Sequence, residues 1–273
     1  MDSDSPDRIR LQVQQHYSAV ARSADGSCCA NSSCCGPQVE LATAAGLPSG
    51  AVASAQGCGN PLALAELRPG ESVLDLGSGG GLDVLLAAQR VGARGFVYGV
   101  DANPDMLALA RRNAAEAGVE NVRFLEGDLE RIPLPDESVE VILSNCVINL
   151  TPDKSRALAE AYRVLRPGGR LAISDIVIDP DLEGFPLSDP AIRSRLDWAS
   201  CSAGALTRSQ LQAALQTAGF EAIRLEVAFR NAASDLSLDE IPDMSPLTLE
   251  QARAVAERFV SMSISARRPA AAA

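Results

Sequence analysis

The sequence predicts an α/β protein built on a doubly wound sheet. Three observations predict it. Short apolar runs alternate with helix-length amphipathic segments from residue 72 to residue 177. The first run ends in a glycine cluster, Gly77-Ser78-Gly79-Gly80-Gly81. The second run ends at Asp101, and the third leads into Gly127-Asp128. Strand, helix, strand in that rhythm implies right-handed parallel crossovers, and in open sheets of this kind ligands bind outside the carboxyl ends of the strands.

Taken in order, residues 7–24 place Ile9, Val13, Tyr17 and Val20 at spacings of four, four and three, one face of an amphipathic helix. Residues 26–37 have no apolar periodicity and read as a loop carrying Cys28, Cys29, Cys34 and Cys35. Residues 41–56 are rich in small side chains and compatible with a lid. Gly57-Cys58-Gly59-Asn60-Pro61 is a breaker cluster. The alternation then begins: a strand at 72–76, a helix at 82–90, and a strand at 96–100 ending at Asp101. Asn103-Pro104 is an N-cap followed by proline at the first helical position, and Gly118 stops that helix after residue 117. Strands follow at 122–125 and 139–143, then a helix at 154–165 closed by Arg166-Pro167-Gly168-Gly169, then a fifth strand at 171–177. Residues 179–203 are too long for a plain connector and read as a functional insertion. Thr207 with Gln210 forms a capping box opening a helix that ends at Gly219. A sixth strand is expected at 221–229, a second box at Thr248 with Gln251, and a final strand at 260–266. The chain thus divides into an N-terminal helix and cysteine loop (1–60), a cofactor-binding core (61–178), and a substrate-site insertion with a C-terminal α/β extension (179–273).

Composition narrows the function. The chain has 273 residues, 47% hydrophobic and 22% charged, ordinary for a globular protein with a real core. A net charge of −11 argues against nucleic-acid binding, which needs clustered Lys and Arg. No apolar run is long enough to span a bilayer, and the polar, acidic start lacks the regions of a secretory signal. A cytoplasmic protein with mostly reduced thiols is expected. Seven cysteines at irregular spacing make a poor disulfide framework, and a single histidine, His16, limits acid–base mechanisms.

The glycine loop brings backbone close to a ligand, at a helix N-terminus that favours an anionic group. Position six of the dinucleotide fingerprint is Leu82 rather than glycine, which weakens a nicotinamide reading. Asp101 is placed for ribose hydroxyls, and Gly127-Asp128-Leu129 for an adenine edge and face. Residues 71–177 resemble the Rossmann-like class I S-adenosylmethionine methyltransferases. The resemblance implies that Asp75, Gly77, Ser78, Gly79, Asp101, Asp128 and Asn145 hold S-adenosyl-L-methionine, with Leu129 and Ala102 against the adenine. Ala102 stands where a larger apolar residue often packs.

Three cysteines sit at related topological places. Cys58 precedes the core, Cys146 follows the fourth strand, and Cys201 lies in the insertion above the same sheet edge. Soft thiolates select thiophilic centres. Zinc wants a fourth ligand, whereas trivalent arsenic takes three sulfurs and keeps a lone pair. Gly57-Cys58-Gly59-Asn60-Pro61, Ser144-Asn145-Cys146-Val147-Ile148-Asn149-Leu150 and Cys201-Ser202-Ala203-Gly204-Ala205-Leu206 resemble the substrate motifs of arsenite methyltransferases. In the third, Ser202 stands where an aliphatic residue is more usual. The resemblance implies methyl transfer to arsenic held by Cys58, Cys146 and Cys201, in arsenic detoxification, with a thiol reductant as co-substrate and Cys28, Cys29, Cys34 and Cys35 as possible auxiliaries. The expected partners are a small-molecule substrate and a thiol-reducing system, with no nucleic acid and no membrane. A methyltransferase of a small quinone- or sterol-like acceptor is the alternative. His16 is expected at the surface, and Trp198 as a packing anchor.

Overall fold

A computed structural model describes residues 5–24, 46–230 and 243–271. Cys28, Cys29, Cys34 and Cys35 lie outside the described residues.

The first helix, α1 (Pro6–Ser23), starts on a proline at its first turn and lays Ala21 against Met106 and Leu109 of a later helix. Two short helices follow, α2 (Ser49–Ala53) and α3 (Pro61–Ala65), the latter capped by Asn60 accepting from Ala63 N. The alternation then runs β1 (Ser72–Leu76), α4 (Leu82–Val91), β2 (Phe96–Asp101), α5 (Pro104–Glu116), β3 (Val122–Glu126), β4 (Val139–Asn145), α6 (Lys154–Val164) and β5 (Leu165–Ile178). The insertion carries α7 (Asp189–Arg193), and α8 (Arg208–Thr217), β6 (Glu221–Arg230), α9 (Leu249–Ala256) and β7 (Phe259–Arg267) complete the order. Both expected capping boxes are present, at the starts of α8 and α9.

Among the described residues seven strands form one sheet in the order β3-β2-β1-β4-β5-β7-β6. Neighbours from β3 to β5 are parallel, and β7 runs antiparallel to both β5 and β6. The winding reverses between β1 and β4, which opens a crevice at their carboxyl ends. Strand side chains alternate between faces. Leu74, Leu76, Ile142, Leu171 and Ile173 enter one apolar cluster with Leu158 of α6 and Leu215 of α8. Val73, Val97, Val141, Leu143 and Ala172 enter another with Leu85 of α4 and Leu107 of α5. A third cluster joins Ile192 and Ala205 of the insertion to Val255 of α9.

One boundary differs from expectation. Arg166-Pro167-Gly168-Gly169 reads as a turn after the helix, but it lies inside β5. Val139 pairs with Leu165 and Val141 with Arg170, so two steps on β4 face five on β5. The excess forms a bulge, with Gly168 at a φ of 81°. No helix among the described residues is long and apolar enough to cross a membrane.

Candidate functional site

The carboxyl ends of β1, β2 and β4 meet at a cavity of about 300 Å³, within the size range of small-molecule sites. Asp75, Gly77, Ser78, Gly79, Asp101, Ala102, Asp128, Leu129 and Asn145 all line it, as does Cys146. Gly77 has a φ of 66°, and a Cβ there would stand 2.3 Å from the Val147 side chain, so any larger residue would push the loop off Val147. Asp101 organises the turn from across the sheet. One of its oxygens accepts from Gly79 N and the other from Asn103 N, each at 2.8 Å.

The lining is acidic. Burial holds the Asp75, Asp83 and Asp101 carboxyls above the usual carboxylate range, and for Asp75 the charges of Asp83 and Asp101 add to it. Bringing a cation into contact with three such groups offsets their desolvation and mutual repulsion. Ser78 Oγ is buried with no hydrogen-bond partner among the described residues, a polar group that a ligand can satisfy. The roof is α1, which contributes Arg10, Val13, Gln14 and Tyr17. It is tied down by Asn103 Nδ2 donating to Gln14 O at 3.0 Å, by Arg10 with Glu130 at 3.2 Å, and by Gln12 donating to Asp197 of the insertion at 2.8 Å.

Beside the cavity, Cys58, Cys146 and Cys201 form one buried cluster with Leu150, flanked by Val13, Tyr17, Val147 and Ile176. Cys146 belongs to both the cluster and the cavity wall. Its φ of 54° and the 65° of Cys201 lie in the left-handed region, which costs a side-chain-bearing residue about 1–2 kcal/mol. The surrounding bonds hold that strain in place. Cys146 N donates to Ser174 O at 2.8 Å, and Cys201 Sγ donates to Cys146 O at 3.0 Å. Cys58 is pinned from two sides: its N–H donates to Asn145 Oδ1 at 3.1 Å, and its carbonyl accepts from Ser261 Oγ of β7 at 2.6 Å.

The expectation of separate reduced thiols is corrected for two of the three. Cys58 and Cys146 form a disulfide with a Cα–Cα distance of 6.0 Å, while Cys201 is buried and stands outside that bond. The Asn145 bond to Cys58 N draws the loop before α3 onto the end of β4, which sets those two residues side by side. Asn145 itself lines the cavity, but its amide is committed to protein. Its Nδ2 donates to Gly59 O and to Asp83 Oδ2, both at 3.1 Å.

Several residues went unnoticed in the sequence. Asp83 lies in the first turn of α4, where an acid usually just complements the helix terminus. Asp175 is a carboxylate within the apolar run 171–178, and that misplaced charge was the signal available. It accepts from Asn149 Nδ2 at 2.9 Å and Ile176 N at 2.8 Å, and burial raises its pKa to about 7. Burial lowers Lys154 to about 8. Its Nζ donates to Thr151 O at 2.9 Å and lies 5.2 Å from the Trp198 ring centroid, so Trp198 faces the start of α6. His16 is exposed, edge-on to Tyr17 at 5.1 Å between ring centroids.

Known proteins resemble this arrangement. The methyltransferase-domain family matches residues 67–219. An arsenite methyltransferase of Halobacterium salinarum is 40% identical over 281 residues, covering 97% of this chain and 68% of the relative. The human arsenite methyltransferase is 35% identical over 63% of this chain and 46% of its own length, so the chain spans about half of that relative. Among solved structures, an arsenic(III) S-adenosylmethionine methyltransferase from Chlamydomonas reinhardtii aligns with a TM-score of 0.66 at 34% identity, over 84% of this chain and 72% of that one.

Proposed function

Because the chain belongs to the arsenite methyltransferase family, an S-adenosylmethionine-dependent group, we propose that it methylates trivalent arsenic held by Cys58, Cys146 and Cys201, as a detoxifying activity. The observation that carries this reading is the gathering of those three sulfur-bearing residues, far apart in sequence, into one buried cluster that shares Cys146 with the cavity.

The cavity fits the cofactor. S-adenosylmethionine supplies an electrophilic methyl group on a sulfonium, and the molecule carries net positive charge. Asp75, Asp83 and Asp101 provide complementary acids, Ser78 an unsatisfied hydroxyl, and Asp128 with Leu129 a polar edge and an apolar face. α1 lines this space with Val13 and Tyr17, and a bound cofactor that displaces water there strengthens the electrostatic contacts inside.

The thiols perform ligand exchange. An external thiol reductant first opens the Cys58–Cys146 disulfide, two reductant thiols becoming one disulfide while two cysteine thiols are restored. Arsenite then trades three hydroxyls for three cysteine sulfurs and releases three waters. The arsenic keeps its lone pair and carries no proton, so the site has no need of a general base, consistent with a lone, exposed histidine. Its contribution is orientation, which for well-aligned partners is worth up to about 7–11 kcal/mol.

The test is direct. The reduced protein is incubated with arsenite, S-adenosylmethionine and a thiol reductant, and methylated arsenic species are separated by chromatography. The parent protein yields them; Cys146→Ser yields none yet still binds S-adenosylmethionine. Folded, cofactor-bound parent protein that makes no methylarsenical, or Cys146→Ser retaining full activity, overturns the proposal.

A further inference from the structure

Asp175 has no part in the arsenic reading, since arsenic(III) is satisfied by three sulfurs. Yet its carboxylate joins the Cys58 and Cys146 sulfurs in a group whose ligand atoms all lie within 4.8 Å of one another, each residue buried. Its orientation is fixed from behind. Asn149 donates from its backbone N at 3.3 Å and its Nδ2 at 2.9 Å, and Ile176 N donates at 2.8 Å. Cys201 belongs to the same cluster, its Sγ at 3.0 Å from Cys146 O.

Once the disulfide is opened, two thiolates and an oriented carboxylate make a donor set for a borderline-soft dication. Zinc binds cysteine sulfur at about 2.3 Å and carboxylate oxygen at about 2.0–2.2 Å, so the donor atoms around one tetrahedral ion stand roughly 3.5–3.8 Å apart. In the oxidised protein the Cys58 and Cys146 sulfurs are bonded to each other and the Asp175 carboxylate lies within 4.8 Å of both, so opening that bond frees the two sulfurs to part toward this spacing beside the carboxylate. We propose that the reduced site binds a thiophilic divalent cation, Zn²⁺ or Cd²⁺, through Cys58, Cys146 and Asp175, with a water completing the coordination sphere. Such an ion competes with arsenite for the same sulfurs but depends on an oxygen donor that arsenite does not use. Lys154, within electrostatic reach of both Asp175 and Cys201, offsets the excess negative charge of the donor set. The inference does not rest on the arsenic reading, because any thiophilic dication meets the same donors whatever the methyl acceptor is.

The site exists only when the Cys58–Cys146 disulfide is open. A phosphine opens it with one water, giving two thiols and a phosphine oxide, and each coordinating thiol then releases a proton to solvent. The experiment uses the full chain with Cys28, Cys29, Cys34 and Cys35 changed to serine, so that only the buried thiols report. The phosphine-reduced, desalted protein is titrated with Cd²⁺ under anaerobic conditions, following the sulfur-to-cadmium charge-transfer band, and the Zn²⁺ form is measured by X-ray absorption. One equivalent binds, reoxidation of the disulfide abolishes binding, and the zinc sphere contains oxygen as well as sulfur. Asp175→Asn weakens Cd²⁺ binding roughly tenfold or more relative to its effect on arsenite binding. No binding by the reduced chain, a sulfur-only sphere, or an equal loss for both ligands overturns the proposal. If Asp175→Asn does not fold, the donor count in the parent decides alone. Cadmium binding without arsenite methylation sinks the proposed activity and leaves this site standing; methylation without cadmium binding does the reverse.

Discussion

Replacing Asn145 with alanine removes one amide and its three hydrogen bonds from the centre of the site. The amide accepts from Cys58 N and donates to Gly59 O and Asp83 Oδ2, each at 3.1 Å. A net hydrogen bond is worth about 1 kcal/mol, and a buried partner left unpaired costs about 1–3 kcal/mol. Three such partners give a loss of about 3 kcal/mol, or about 6–12 °C in Tm for a chain of this size. The measurement is urea unfolding of parent and Asn145→Ala with reductant present, so that the disulfide does not contribute. Arsenite binding is followed in parallel, and it weakens because Cys58 is no longer pinned to the end of β4. Asn145→Asp separates the two roles: it keeps an acceptor for Cys58 N but sets a second carboxyl against Asp83. A stability loss under about 0.5 kcal/mol, the range of a neutral surface change, with unaltered arsenite affinity would show that the amide does not hold the loop.

Three further outcomes are expected. A Cβ on Gly204 would lie 2.0 Å from the Asn149 carbonyl oxygen; Gly204→Ala therefore displaces the Cys201 loop, costs about 1–3 kcal/mol, and lowers arsenite affinity while S-adenosylmethionine affinity, read by calorimetry, is kept. Asn103 caps α5 through Asp105 N at 2.9 Å and Met106 N at 3.2 Å while tethering α1; Asn103→Ala costs about 0.5–2 kcal/mol from the cap and speeds amide exchange across α1, and unchanged exchange there would disprove the tether. The folded-state pKa of Asp175 is about 7 against an ordinary 3.8, so between those values the native state holds a proton that the unfolded chain has released. Raising pH through that window therefore weakens the fold, and the effect levels off above pH 7; Asp175→Asn removes this slope, about 2–3 kcal/mol between unfolding curves taken at pH 5 and pH 8.

Much of the architecture was legible because local rules and the global pattern agree. Asn103-Pro104, Gly118 and the two capping boxes are short-range signals, and each marks a helix end in the structure. The segment Arg166-Pro167-Gly168-Gly169 misled because a Pro-Gly pair reads as a turn, whereas it is a bulge held in place by pairing across β4 and by Gly168 N donating to Arg268 O at 3.0 Å. The cavity wall from Asp75 to Asn145 was legible because parallel strands deliver their carboxyl ends to one edge. The roof was not: the periodicity of α1 marks an apolar face without saying what it covers. Asp175 escaped because its meaning depends on the register that sets Asn145 opposite Ser174. The Cys58–Cys146 bond escaped because compartment argues about thiols in general, and proximity is decided by one side-chain amide.

Ser261 belongs to β7, which lies between β5 and β6, and its hydroxyl grips the Cys58 carbonyl. One anchor of Cys58 is thus supplied by a strand 203 residues further along the chain. Fraying of β7 therefore loosens the Cys58 corner of the thiol cluster along with the antiparallel edge of the sheet.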